Sequence, residues 1–198
     1  MVVPITGNER EKDLAMTLLS IDTYLASTDE DDGLEDDLGA TVESLELGVE
    51  DSRILVVDDD PRVALLMTRL LERDGFRRLA TVGDGKHAVD IVLDDPPDLV
   101  VLDVHIPGLD GFEVLREIIR NDNEVGRVTG IIGVSGDVTP TVCDEMLMAG
   151  ADDFIGRPFP SGEFALRVRT IAHRTRALRR AVGYARLLEG RLGEAPEP

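Results

Sequence analysis

The chain has 198 residues, a net charge of -19 and 42% hydrophobic residues, enough apolar content for one full domain plus extensions. No apolar stretch approaches the ~18 residues of a membrane span. The opening MVVPITGNEREKD lacks the basic start and apolar core of a secretion signal, and the single cysteine, Cys143, excludes an internal disulfide, so a cytoplasmic protein is expected.

The charge is unevenly spread. Residues 1–51 are dominated by Asp and Glu, with only Arg10 and Lys12 against them, whereas residues 163–192 are rich in arginine and hold only Glu163 and Glu189 as acids. An acidic head does not seek nucleic acid, so no nucleic-acid partner is expected. Residues 12–26 place Leu14, Leu18, Ile21 and Leu25 on one helical stripe. The stretch STDEDDGLEDD at 27–37 reads as a linker, and a second short helix is expected over 38–47. Together, 1–51 is an acidic N-terminal extension.

From residue 52 the pattern becomes regular. Ile54 to Val57 is a continuous apolar run, and Pro61 stands in a first helical turn. Val63, Leu66, Met67, Leu70 and Leu71 recur at helical spacing until Gly75. Residues 78–82 read as a strand, and 85–94 as a helix with Ala88, Val89 and Val92 inward. Leu99 to Leu102 is the next buried strand, and 110–120 a helix carrying Phe112, Val114, Leu115 and Ile118. Residues 128–134 are a strand, 139–149 a helix and 153–156 a short strand, before a long helix from about Ser161. Five strand–helix repeats with continuous apolar strands predict a doubly wound parallel sheet with helices on both faces. In such sheets ligands bind at the carboxyl ends of the strands, where Asp58, Asp59, Asp103, Ser135 and Arg157 all fall. Three carboxylates that close are stable together only with a divalent cation or with bound protons.

The last helix carries Phe164, Val168, Ile171, Thr175, Leu178, Val182, Ala185, Glu189 and Leu192 in alternating steps of four and three. That is a heptad seam, imperfect at Thr175 and Glu189. Its first turns are needed to cover the sheet. The later part, residues 173–198, is an extended helix and tail that wants a partner. A second copy, the helix at 12–26 or a further domain would serve.

The spacing of ILVVDDDP, LVVLDVHIPGLDGFEVL, IIGVSG and ADDFIGRPF resembles the receiver domain of two-component response regulators, over about residues 52–172. The resemblance implies a five-stranded sheet of order 2-1-3-4-5. It implies phosphoryl transfer from a histidine kinase or a histidine phosphotransfer protein to Asp103. Mg2+ would be held by Asp58, Asp59, Asp103 and the backbone carbonyl of His105. Ser135 matches the hydroxyl that bonds the new phosphoryl group, and Phe154 the aromatic that swings inward. At one position the chain departs from the family. A Lys-Pro dipeptide is usual after the fifth strand, and here Arg157-Pro158 stands in its place. Arginine brings a planar fork where lysine brings a compact ammonium.

The implied protein is a phosphoacceptor rather than an enzyme. With too few residues after the receiver for a helix-turn-helix, it is expected to lack a DNA-binding domain and to signal through protein contact or dimerisation. Two alternatives stand beside it. One is a receiver-like module that works without phosphorylation. The other is a haloacid-dehalogenase-like phosphatase built on Asp58-Asp59-Asp60, which Arg62 and the unexplained Asp103 disfavour.

Overall fold

The structure is a computed structural model that describes the backbone of residues 48–137 and 139–193, with side chains as far as Ala185. The helices expected at 12–26 and 38–47, and the linker between them, lie outside the described residues. Leu47–Arg176 form one compact unit, and the stretch from Ala177 belongs to a second.

Among the described residues, five strands, β1 (Arg53–Val57), β2 (Arg78–Val82), β3 (Leu99–Asp103), β4 (Gly130–Ser135) and β5 (Asp153–Gly156), alternate with five α-helices after a short 3-10 turn at Val49–Asp51. These are α1 (Pro61–Arg73), α2 (Gly85–Asp94), α3 (Gly111–Val125), α4 (Pro140–Met148) and α5 (Ser161–Gly193). The sheet is parallel, in the order β2-β1-β3-β4-β5. This is the expected order.

Strand side chains alternate between the two faces, and each face has its own core. Ile54, Val56, Leu99, Val101, Ile132 and Val134 pack against α1 and α5. Leu55, Val57, Val100, Leu102 and Ile131 pack against α2, α3 and α4. With helices on both sides, β1, β3 and β4 need apolar residues at almost every position, which is why their runs do not alternate. The expectation of five buried strands fails at the edge. β2 has a neighbour on one side only, and Arg78, Ala80 and Thr81 are exposed. Leu66 also departs from the expected inward stripe. The face of α1 that meets the sheet carries Ala64, Met67 and Leu71, which leaves Leu66 54% exposed.

Helix ends are marked by carboxylates. Asp60, Asp84 and Asp110 each accept an N–H from the first turn of the helix that follows, and Asp110 with Glu113 completes a reciprocal capping box. α3 runs past residue 120 to Val125, where Gly126 in the left-handed conformation ends it, and on this extension Asp122 turns inward. Its buried carboxylate accepts the Thr129 N–H at 2.6 Å and the Thr129 hydroxyl at 3.1 Å, tying the helix end to the start of β4. On α5, the first four seam positions, Phe164, Val168, Ile171 and Thr175, are all buried.

Candidate functional site

Sheet register builds the site. Val57 of β1 pairs with Leu102 of β3, so Asp58 and Asp103 emerge side by side at the carboxyl edge. Asp103 pairs with Val134 of β4, and Ser135 pairs with Gly156 of β5, which brings the Ser135 and Arg157 backbones to the same edge. The Arg157 N–H donates to the Ser135 carbonyl at 2.7 Å. Gly111 allows α3 to close over this edge. A Cβ there would lie 2.5 Å from the Asp103 carbonyl oxygen and 2.7 Å from the Val104 Cα, so any side chain would push the helix off the strand that carries Asp103.

Asp58 and Asp103 are each only 2% exposed, whereas Asp59 is exposed. Carboxylate oxygens of all three lie within 4.8 Å of one another. Arg157 reaches back over the two buried ones. Its Nη1 donates to Asp58 Oδ2 at 2.9 Å and its Nη2 to Asp103 Oδ2 at 2.7 Å. The remaining oxygens meet backbone. Asp58 Oδ1 accepts the Asp60 N–H at 2.9 Å, and Asp103 Oδ1 accepts the His105 N–H at 3.2 Å. All four oxygens of the buried pair therefore have a donor. Burial pushes the Asp58 carboxyl above its usual range. The Asp60 N–H opposes this, the charge of Asp103 adds to it, Arg157 opposes it, and Asp59 adds to it weakly.

Three carboxylates against one guanidinium leave the edge with excess negative charge. An all-oxygen donor set with one exposed carboxylate suits a hard divalent cation that keeps some of its waters, and Mg2+ fits that description.

The other expected site residues divide into near and far. Ser135 is fully buried, and its Oγ accepts the Asp137 N–H at 3.0 Å. His105 is exposed, with only its backbone engaged among the acids. Phe154 is half-buried on the face shared with α4. The room it occupies exists because residue 133 is glycine. A Cβ there would meet Met146 Cε at 2.8 Å and Phe154 Cδ2 at 3.1 Å. Residue types alone do not reveal the backbone donors of Asp60 and His105. Main-chain N–H groups carry no sequence signal, although the Asp-Asp-Asp-Pro turn is where one would be sought.

Comparison with known proteins agrees with this architecture. Residues 54–169 match the response regulator receiver domain family. The chain is 41% identical over 117 residues to the DNA-binding response regulator MtrA of Mycolicibacterium smegmatis, covering 59% of this chain and 49% of MtrA. It is 39% identical over 122 residues to the transcriptional regulatory protein TcrA of Mycobacterium tuberculosis, covering 62% of this chain and 46% of TcrA. Among solved structures, the receiver domain of the Francisella response regulator 1452 superposes with a TM-score of 0.57 at 30% identity, covering 63% of this chain and 99% of that one. The receiver domain of NtrX from Brucella abortus superposes with a TM-score of 0.55 at 30% identity, covering 61% and 98%.

These relatives correct one expectation. A protein without a DNA-binding domain and without a nucleic-acid partner is not supported, because MtrA is by name DNA-binding and TcrA by name a transcriptional regulator. The chain spans about half the length of these relatives. Acidity is a poor guide to output. The expectation rested on the acidity of residues 1–51, and the charge of one segment does not describe what another segment binds. Response regulators are in the main phosphoacceptors rather than enzymes in the usual sense, which sets the phosphatase alternative aside. Among the described residues, no helix is long and apolar enough to cross a membrane. With more than half of its length matched, and with the sheet order and acidic edge in agreement, the chain belongs to the response regulator receiver domain family of two-component signalling.

Proposed function

We propose that Asp103 accepts a phosphoryl group from the phosphohistidine of a histidine kinase or phosphotransfer protein. Receiver domains interact with histidine kinases, and the observation that carries the reading is the buried Asp103 carboxylate beside Asp58 and Arg157 at one strand edge. An Asp103 oxygen attacks phosphorus, a P–O bond forms, and the P–N bond to the histidine breaks. Asp58, Asp59, Asp103 and the His105 carbonyl are the residues that would hold Mg2+, which supplies positive charge against the incoming phosphoryl oxygens. Arg157 is the cation paired to the acceptor, and it grips phosphoryl oxygens once the carboxylate has become an acyl phosphate. The Ser135 hydroxyl donates to the phosphoryl group, and Phe154 moves inward to fill the space that engagement opens.

On the names of the relatives, control of transcription is the output such a receiver would serve. The seam that continues along α5 through Leu178, Val182 and Ala185 fits a second copy of this chain. Light scattering that finds only monomer at every concentration overturns that part.

Incubation with acetyl phosphate and Mg2+ followed by a Phos-tag gel tests the main reading. A retarded band in the wild type that is absent in Asp103→Asn supports it. An unshifted wild type favours the phosphorylation-independent module, in which Arg157 keeps the acceptor permanently engaged.

A further inference from the structure

Arg157 does more than face the acceptor. Its two terminal nitrogens are divided between the acceptor, Asp103, and Asp58, a residue assigned to the metal. Both carboxylates are almost wholly buried, and the arginine side chain itself is only 24% exposed. The guanidinium thus engages two of the three carboxylates assigned to the divalent cation. Two cations drawn to the same carboxylates repel each other, and the repulsion is strong where water is scarce.

The identity of this cation matters. An ammonium is a point charge that is strongly hydrated, so it returns to water readily. A guanidinium spreads its charge over a planar fork, is weakly hydrated and can satisfy two carboxylates at once. Asp58 and Asp103 have already given their other oxygens to backbone N–H groups. The clasp therefore closes the hydrogen-bonding of the pair without a metal.

We propose that Arg157 is a built-in competitor of the divalent cation, a clasp on Asp58 and Asp103 that must release Asp58 for Mg2+ to bind. It makes Arg157 a positioning and specificity-determining residue that raises the Mg2+ concentration at which the site becomes competent. The inference rests on the metal reading above.

Calorimetric titration of the full chain with MgCl2 tests it, comparing wild type with Arg157→Lys and Arg157→Ala, and with Asp59→Ala as the site control. Arg157→Lys keeps the charge and removes the fork. It is expected to bind Mg2+ roughly tenfold more tightly than the wild type, and the Mg2+-induced rise in its Tm is expected to be larger. In the wild type, the Arg157 side-chain NMR signals should move as Mg2+ is added. If Arg157→Ala does not fold, Arg157→Lys alone decides. Equal or weaker Mg2+ binding by Arg157→Lys, with Asp59→Ala impaired, overturns the competition but leaves the metal site intact. Absence of Mg2+ binding in every variant overturns the metal reading and the competition with it.

Discussion

Two arginines of this domain make the same gesture at opposite ends of the sheet. At the carboxyl edge, Arg157 divides its fork between Asp58 and Asp103. Near the other end, Arg169 of α5 reaches Glu50, just before β1, through Nη1 at 2.7 Å and Asp74, just after α1, through Nε at 2.9 Å. A further bond joins Arg169 to the Asp74 carbonyl, and its guanidinium lies 5.3 Å from the centre of the Phe76 ring. Each arginine joins two carboxylates that are far apart in sequence. They differ in what surrounds them. The partners of Arg169 are about one-third exposed, one positive charge serves two acids that water also serves, and an aromatic ring faces the guanidinium. The partners of Arg157 are buried, and Asp59 adds a third acid beside them. The first arrangement is a clamp at rest. The second sets three acids, two of them buried, against one guanidinium, an excess of negative charge that a divalent cation or a bound proton relieves.

The contrast can be broken by truncating each arginine in turn. Arg157→Ala leaves two buried carboxylates facing each other without a counter-ion. It is expected to lose about 3 kcal/mol in the absence of Mg2+ and to recover much of that on adding the metal. Arg169→Ala is expected to lose on the order of 1 kcal/mol through its contact with Phe76, with no dependence on Mg2+. Urea denaturation with and without Mg2+ separates the two. Equal Mg2+ responses would erase the distinction between clamp and site.

A smaller effect distinguishes the two ends by pH. Hydrogen bonding from Arg169 holds the Glu50 carboxyl below its ordinary value of 4.5, so its contribution to stability is present above that value and lost as pH falls through the lowered one. Burial holds Asp58 above its ordinary value of 3.8, with the opposite sign. Its contribution favours the fold below 3.8 and is lost as pH rises through the raised value. In metal-free protein, Glu50→Gln should therefore weaken the acid-side loss of stability, and Asp58→Asn should steepen it. Chemical denaturation across the acidic range reads both slopes, and identical profiles in the two variants would contradict the assignment of signs.

The smallest expected effect concerns the aromatic beside the pocket. Gly133→Ala places a methyl against Met146 and Phe154, and a two-dimensional NMR spectrum should show shifts centred on Phe154 and α4 rather than on Arg169.

Much of this was legible in the sequence, for identifiable reasons. Ile54 to Val57 and Leu99 to Leu102 are apolar at every position because both of their faces are covered, and each run stops at an aspartate. The strand pattern puts Asp58, Asp103, Ser135 and Arg157 at the carboxyl edge, whereas the sheet order rested on the resemblance of the motifs to receiver domains. Less legible was anything decided by a neighbour rather than by a pattern. β2 reads like its siblings until its position at the edge is known. Leu66 fits the helical stripe of α1 but falls just outside the contact with the sheet. Asp122 belongs to no apolar pattern, yet it is buried because the Thr129 N–H and hydroxyl and the Arg127 guanidinium all donate to its carboxylate. The division of Arg157 between Asp58 and Asp103 lies in the same class, since a sequence shows that a cation is near but not how its fork is shared.

Peptide-level mass spectrometry of the full chain after treatment with acetyl phosphate and Mg2+ tests most directly whether Asp103 is the phosphoacceptor. One phosphoryl group is expected on the peptide that contains Asp103, and none when Asp103 is replaced by Asn. An unmodified wild-type protein under the same conditions, or a phosphoryl group that persists elsewhere in Asp103→Asn, would contradict that role.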